Sequence, residues 1–258
     1  MISTLSRVKQ HALRRFFAEA EAIEQRALAA RSGPSGVLKV TAAVTLGTYV
    51  IAPQLVRFRE RFPEVTIDFR LSDTLTDLVE EGIDVAVPIG QLADSRLIAR
   101  KLAANRVCAF ASPSYMKCYG THQHPDDLFH HQCINVRFKS SGQDLRWPFT
   151  CNGKPYHIEP RSIIVANNNE AVATIIASGA GIGVSPSYLA AAYVKRGELV
   201  AVMPECWAEP NHITALWPEN RRGNPTVQAL VSFLDEIFPD PTLWNLTIFG
   251  GESSRTAD

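Results

Sequence analysis

The chain has 258 residues, 46% of them apolar and 20% charged, with 26 Lys and Arg against 26 Asp and Glu. Those proportions describe one large or two ordinary globular domains and exclude a disordered chain, and the zero net charge argues against nucleic acid as the main partner. The charge-broken N-terminus carries no apolar leader, no run of about 18 apolar residues exists to span a membrane, and the five cysteines show no metal or CxxC spacing, so a cytoplasmic chain with reduced thiols is expected.

Residues 3–31 contain no Pro or Gly and read as one helix, with Val8, Ala12, Phe16, Ala20, Ile23, Ala27 and Ala30 recurring on one face. SGPSG at 32–36 breaks it and marks a linker. The apolar stripe needs a cover, either a partner helix or the body of its own chain. Strand and helix patterns then alternate: strand 37–43, helix 46–62 with Pro53 in its interior, strand 64–71, helix 73–82 ending at Gly82, and strand 83–90. Residues 97–112 hold two strands split near Ala104-Asn105. The middle region repeats this grammar, with strands at 131–138, 145–149 and 162–167, helix 168–179, strand 181–185 and helix 186–197. Strands at 198–204 and 211–218 follow, then helix 224–238 with Pro225 at its start and a tail ending in GGESSRTAD, expected to be disordered. Such alternation predicts an α/β fold with mostly parallel sheets and helices on both faces.

No nucleophile elbow, zinc-protease, phosphate-loop or dinucleotide motif is present, so no catalytic, metal or cofactor residue is assigned. His122, His124, His130 and His131 lack metal spacing and read as a surface loop. Cys108 and Cys133 fall in apolar strands and read as small core residues rather than a redox pair. Open α/β sheets bind ligands beyond the C-terminal ends of their strands. Four such junctions carry short polar residues at a helix start: Thr45 to Thr48, Ser72-Asp73-Thr74, Asn167-Asn168-Asn169, and Ser185 before Pro186. Each is either a simple N-cap or an anchor for an anionic group. Arg137 stands at the end of an apolar strand, facing either the crevice or solvent.

The segments GVLKVTAAVTLGTYVIAPQLVRFRERFPEVTIDFRLSD, DLVEEGIDVAVPIGQLADSRLIARKL, ASPSYMKCYGTHQHPDDLFHHQCI, ASGAGIGVSPSYL and ALVSFLDEIF follow one another from about Gly36 to Phe238. In these segments and their order the chain resembles the effector-binding domain of LysR-type transcriptional regulators. The segment HALRRFFAEAEAIEQRALAARSGPSG resembles the family's dimerising linker helix, whereas the winged helix-turn-helix that precedes it in the family is missing.

The resemblance implies a type 2 periplasmic-binding-protein-like fold: two Rossmann-like lobes joined by two crossover strands, plus an N-terminal linker helix. Carried over, residues 1–31 are the dimerisation helix, 32–36 the linker, 37–109 with 210–238 lobe I, 110–209 lobe II, and 239–258 the tail. It implies a ligand-sensing regulatory domain binding a small, carboxylate-containing effector between the lobes. Thr45 and Thr74 match positions that hold effector carboxylates, and Leu46, Pro88, Arg137, Asn167 and Ser185 are expected to complete the site. The DLVEEG…GQLADSRLIARKLA run is similar to a large subgroup of the family often linked to aromatic or small organic acid effectors, and that subgroup often has a basic residue where Pro88 stands. The implied partners are an organic acid effector, a second copy in a homodimer or higher homo-oligomer, and, in mixed dimers, a full-length homologue; DNA is reached only through the missing reader. The rivals are a solute-binding protein of the same fold and an enzyme built on it.

Overall fold

The computed structural model describes residues 33–74, 78, 80–90, 97–120, 124–138 and 142–249. The expected N-terminal helix and the end of the tail lie outside the described residues. The first sheet holds β1 (Gly36–Ala42), β2 (Val65–Leu71), β3 (Val85–Val87), β4 (Leu97–Asn105) and β12 (Asn211–Pro218), in the order β2-β1-β3-β12-β4. The second holds β5 (Val107–Ala111), β6 (Cys133–Val136), β9 (Ser162–Ala166), β10 (Ile182–Pro186) and β11 (Val200–Ala201), in the order β11-β5-β10-β6-β9.

The two sheets share one plan. In the first, β12 runs antiparallel to both β3 and β4, while β1 is parallel to β2 and β3. In the second, β5 runs antiparallel to β10 and β11, while β6 is parallel to β9 and β10. The reversed strand of each sheet is the one that arrives from the other lobe: β4 passes through Arg106 into β5, and residues 202–210 lead from β11 into β12. The lobes are therefore joined by two crossovers lying side by side, with Asn105 opposite Asn211 in the β4–β12 register.

Local chemistry explains the elements. In β1 the residues Leu38, Val40 and Ala42 are buried while Lys39 and Thr41 are half-buried, the period-two pattern of a strand with one core face. The helical segment α1 (44–61) is uneven: Val44–Leu46 is α, Gly47–Ile51 a π turn, Ala52–Gln54 a 3-10 turn, and Leu55–Arg61 α again. Pro53 is the cause, because it has no N–H to give the carbonyl four residues back. Gly47 also lets this segment approach β2, since a Cβ there would lie 2.2 Å from Leu71 Cδ2. The helix α5 (Pro225–Ile237) begins with Asn224 Oδ1 accepting from the backbone N–H of Thr226 and Val227 at 2.9 and 3.1 Å. It lays Val227, Leu230, Val231 and Leu234 against β1 and α1 in the first core. Each fully buried side chain of this size contributes about 1.5–3 kcal/mol. The second core gathers Phe110, Ile134, Trp147, Phe149, Ile176 and Ile182.

Several elements depart from the sequence reading. Of the expected helix 73–82, part lies outside the described residues, and residues 80–82 form a turn. The expected strand 198–204 shrinks to β11 because Met203 takes a left-handed φ of 50° and Pro204 opens a 3-10 turn. His130 ends a 3-10 helix, Pro125–His130, and His124 caps it, its Nδ1 accepting from the Asp126 N–H at 3.2 Å. A hairpin, β7 (Trp147–Cys151) and β8 (Lys154–Ile158), and a short helix α2 (Pro113–Tyr119) extend the second lobe. The C-terminal region carries a further helix, α6 (Leu243–Phe249), that touches both cores: Trp244 packs with the first and Ile248 with the second. The Trp244 ring lies 5.9 Å from Phe238 and 6.3 Å from Tyr188, edge on to each.

Candidate effector cleft

A cavity of about 440 Å³ opens between the lobes. Its walls are strand ends. From the first lobe come Ala42, Ala43 and Thr45 after β1, Ser72-Asp73-Thr74 after β2, and Pro88 after β3. From the second come Val136, Arg137 and Phe138 after β6, Asn167 and Asn169 after β9, and Pro186 and Tyr188 after β10. Three parallel strands of each sheet thus end on the same space, the position where open α/β sheets hold ligands.

The floor is the paired crossover. Asn105, 1% exposed, donates through Nδ2 to Asn211 Oδ1 at 2.8 Å. Its own Oδ1 is buried and has no hydrogen-bond partner among the described residues. A buried amide oxygen left in this state costs about 1–3 kcal/mol, a cost carried at the crossover itself.

Two contacts tie the walls together. Thr45 Oγ1 and the Tyr188 hydroxyl, both buried, share a 2.8 Å hydrogen bond. Burial pushes the Tyr188 phenol up to about 12, and the negative charge of Asp73 adds to this. A second contact joins the lobes where the exposed Tyr49 hydroxyl donates to the carboxylate of Glu170, in the first turn of the helix α3 (Asn169–Ala177). The helix α3 is capped by Asn168 Oδ1, which accepts from the Ala171 N–H at 2.9 Å.

The first turn of α1 is not open to a ligand in the way its sequence suggests. Asp73 Oδ1 accepts from the Val44 N–H at 2.9 Å, so a carboxylate of the chain itself already sits there. Ser72 Oγ closes a small turn with Thr74, accepting from its N–H at 3.1 Å and donating to its carbonyl at 3.0 Å. Arg137 lines the cavity but is half-exposed and forked onto Asp144, with Nε to Oδ1 at 2.7 Å.

Of the residues singled out from sequence, Thr45, Thr74, Pro88, Arg137 and Asn167 stand in the wall. Leu46 and Ser185 do not: Leu46 is wholly buried in the first core, and Ser185 is 1% exposed with Oγ directed at the Pro186 carbonyl, 3.4 Å away. Strand alternation is the reason for Ser185, since its neighbours Val184 and Pro186 face the cavity in its place. Asn105, Asn211, Tyr188 and Phe138 carry no local signal for a site, because pairing between distant segments brings them there. Among the described residues no cluster of His, Cys, Asp and Glu has the makings of a metal site, and no helix is long and apolar enough to cross a membrane.

A two-lobed α/β domain with a cleft at its crossovers has the architecture of small-molecule-binding domains. Comparison with known proteins places it more narrowly. The LysR substrate binding domain profile matches residues 31–239, and the chain belongs to that family. It is 32% identical over 207 residues to an HTH-type transcriptional regulator of Xanthomonas campestris pv. campestris, covering 79% of this chain and 60% of that one. The chain therefore spans about three fifths of that relative's length. It is 30% identical over 224 residues to the HTH-type transcriptional regulator CrgA of Neisseria meningitidis serogroup C, covering 86% of this chain and 74% of CrgA. The solved regulatory domain of CrgA from Neisseria meningitidis, a LysR-type transcriptional regulator, superposes with a TM-score of 0.70 at 29% identity, over 80% of this chain and all of that one.

Proposed function

We propose that this chain is the ligand-sensing part of a transcriptional regulator and that the cleft receives a small organic effector. The observation that carries the reading is the cavity of about 440 Å³, walled by strand ends of both lobes and floored by the Asn105–Asn211 pair of the crossovers. Its volume lies within the roughly 300–1,000 Å³ usual for small-molecule sites. In this reading Thr74, Pro88, Arg137 and Asn167 touch the effector, Thr45 acts with Tyr188, and Leu46 and Ser185 hold the wall from behind. An effector that contacts both lobes binds their closed arrangement better and shifts the population toward it. A pair of chains then passes that change to a DNA-reading module outside these 258 residues.

Two effector chemistries fit the wall differently. An organic acid uses Thr74 and the Arg137 guanidinium, and reaches the first turn of α1 by displacing Asp73 from the Val44 N–H. A neutral molecule leaves Asp73 in place and meets the Asn105–Asn211 amide pair in the floor, which the Asp73–Val44 contact favours. A thermal-shift screen of acids alongside their amides and alcohols separates them, since any ligand selective for the folded state raises its melting temperature. An acid whose effect falls about 10- to 100-fold in affinity in Thr74→Val and Arg137→Gln supports the first chemistry. A neutral ligand weakened by Asn105→Ala supports the second. Ligands of either kind whose affinity ignores all three variants overturn the cleft assignment.

A further inference from the structure

The β7–β8 hairpin turns at Asn152-Gly153, both with positive φ (51° and 72°), and its first strand ends on Cys151. Phe149 in that strand forms an antiparallel bridge with Trp207. The bridge sets the 3-10 turn that ends on Cys206 beside the end of β7, with Cys151 one residue past the position across from Cys206. The Cys206 and Cys151 side chains are hydrogen-bonded to each other. Cys206 is buried at 8% exposure, while Cys151 is half-buried, so one thiol of the pair is open to a small oxidant and the other is sheltered behind it.

We propose that Cys151 and Cys206 form a redox-modification site that a hydroperoxide converts from two thiols to one disulfide. The thiolate of Cys151 attacks an oxygen of the hydroperoxide and breaks the O–O bond. Cys151 becomes a sulfenic acid, and the departing oxygen leaves as an alcohol, or as water from hydrogen peroxide, with the proton the thiol gave up. The Cys206 sulfur then attacks the Cys151 sulfur. The S–S bond forms, the S–O bond breaks, and hydroxide departs as water with the Cys206 proton. The two sulfurs together lose two electrons, and the peroxide O–O bond accepts them.

Position gives this bond a consequence. Cys206 directly precedes the segment that enters β12, the second crossover, and Cys151 shares a strand with Pro148, which lines the cleft. The disulfide ties the cleft-side hairpin to the root of a crossover, whatever the effector is. The remaining thiols differ in kind. Cys108 and Cys133 are wholly buried, with burial holding the Cys133 thiol up at about 12, and Cys118 stands exposed on α2.

The test uses the whole chain carrying Cys118→Ser, treated with tert-butyl hydroperoxide, alkylated, and digested with trypsin without reduction. A linked peptide pair, residues 147–161 with residues 197–221, is the expected product. It disappears on reduction and is absent from the same protein carrying Cys151→Ser. Because Cys206 is buried, Cys206→Ala serves as the second variant, and there Cys151 is expected to stop at oxidised sulfur acids or an alkylated thiol. Recovery of both peptides alkylated after peroxide overturns the proposal, as does over-oxidation of Cys151 in the parent with no linked pair.

Discussion

The hydrogen bond between Thr45 and Tyr188 is the buried tie across the cleft, and removing it has a calculable cost. Thr45 is 5% exposed and Tyr188 6%, so neither hydroxyl finds water when its partner goes. Thr45→Val keeps the shape and strands the phenol; Tyr188→Phe strands the threonine hydroxyl. Each single change leaves one buried polar group unsatisfied and is expected to cost about 1–3 kcal/mol. For a chain of this size that is a melting-temperature loss of roughly 2–12 °C. The double variant removes both polar groups together and leaves nothing unpaired, so it is expected to recover much of the sum. The coupling in the double-mutant cycle is then about 1–2 kcal/mol. Calorimetric or circular-dichroism melts of the four proteins measure it. Strictly additive losses would refute the claim that the two hydroxyls satisfy one another.

Other consequences follow from the same geometry. Gly183→Ala places a Cβ 2.5 Å from Ile176 Cδ1 and 2.9 Å from the Ile134 carbonyl oxygen, and that backbone atom cannot yield cheaply. A destabilisation of about 1–3 kcal/mol in urea titrations is expected, and an unchanged midpoint contradicts the packing described for β10 and α3. Trp244→Ala removes the ring that α6 sets between Phe238 and Tyr188, and a loss of roughly 2 kcal/mol is expected by the same titration. The raised Tyr188 pKa makes a statement about alkaline pH. The folded state holds its proton to about 12 while the unfolded phenol releases it near 10, so between these values the unfolded state binds fewer protons. Stability is complete below about pH 10 and falls as pH rises toward 12, by on the order of 2–3 kcal/mol. Tyr188→Phe is expected to flatten that part of the pH profile, and an identical alkaline loss in the variant contradicts the assignment.

Much of this fold is written locally. NHITALWP carries an apolar run closed by Pro218, and β12 occupies those residues, 211–218. Asn224-Pro225 announces the start of α5 through a capping side chain and a missing N–H, both realised in the structure. The π and 3-10 turns of α1 are likewise legible in Pro53. Elsewhere the signal was present and weak: Asn152-Gly153 is a two-residue hairpin turn, but Lys154 and Pro155 make β8 a poor strand by composition. The helix α6 owes its existence to what Trp244 and Ile248 pack against, which no window of sequence contains.

The cleft divides in the same way. Thr45, Thr74 and Asn167 follow strands and precede turns or helices, so their type and spacing mark them. Asn105 is one amide in an apolar stretch, and its place in the floor depends on Asn211, 106 residues further along. Tyr188 sits within an apolar helix, α4 (Ser187–Lys195), whose sequence says nothing of Thr45. Asp73 is visible as a polar junction residue, but its hydrogen bond to the Val44 N–H depends on how β1 and β2 align.

The central claim is that the space between the lobes is where the effector binds. Thr74 is exposed and lines that space, so Thr74→Trp fills it without disturbing either core. Titration calorimetry of one effector, taken from the thermal-shift screen, is run on the parent protein and on this variant. The account predicts one-to-one binding to the parent and loss of measurable heat in the variant, whose own melting temperature stays close to the parent's. Equal affinity in both proteins contradicts it and moves the effector elsewhere on the molecule.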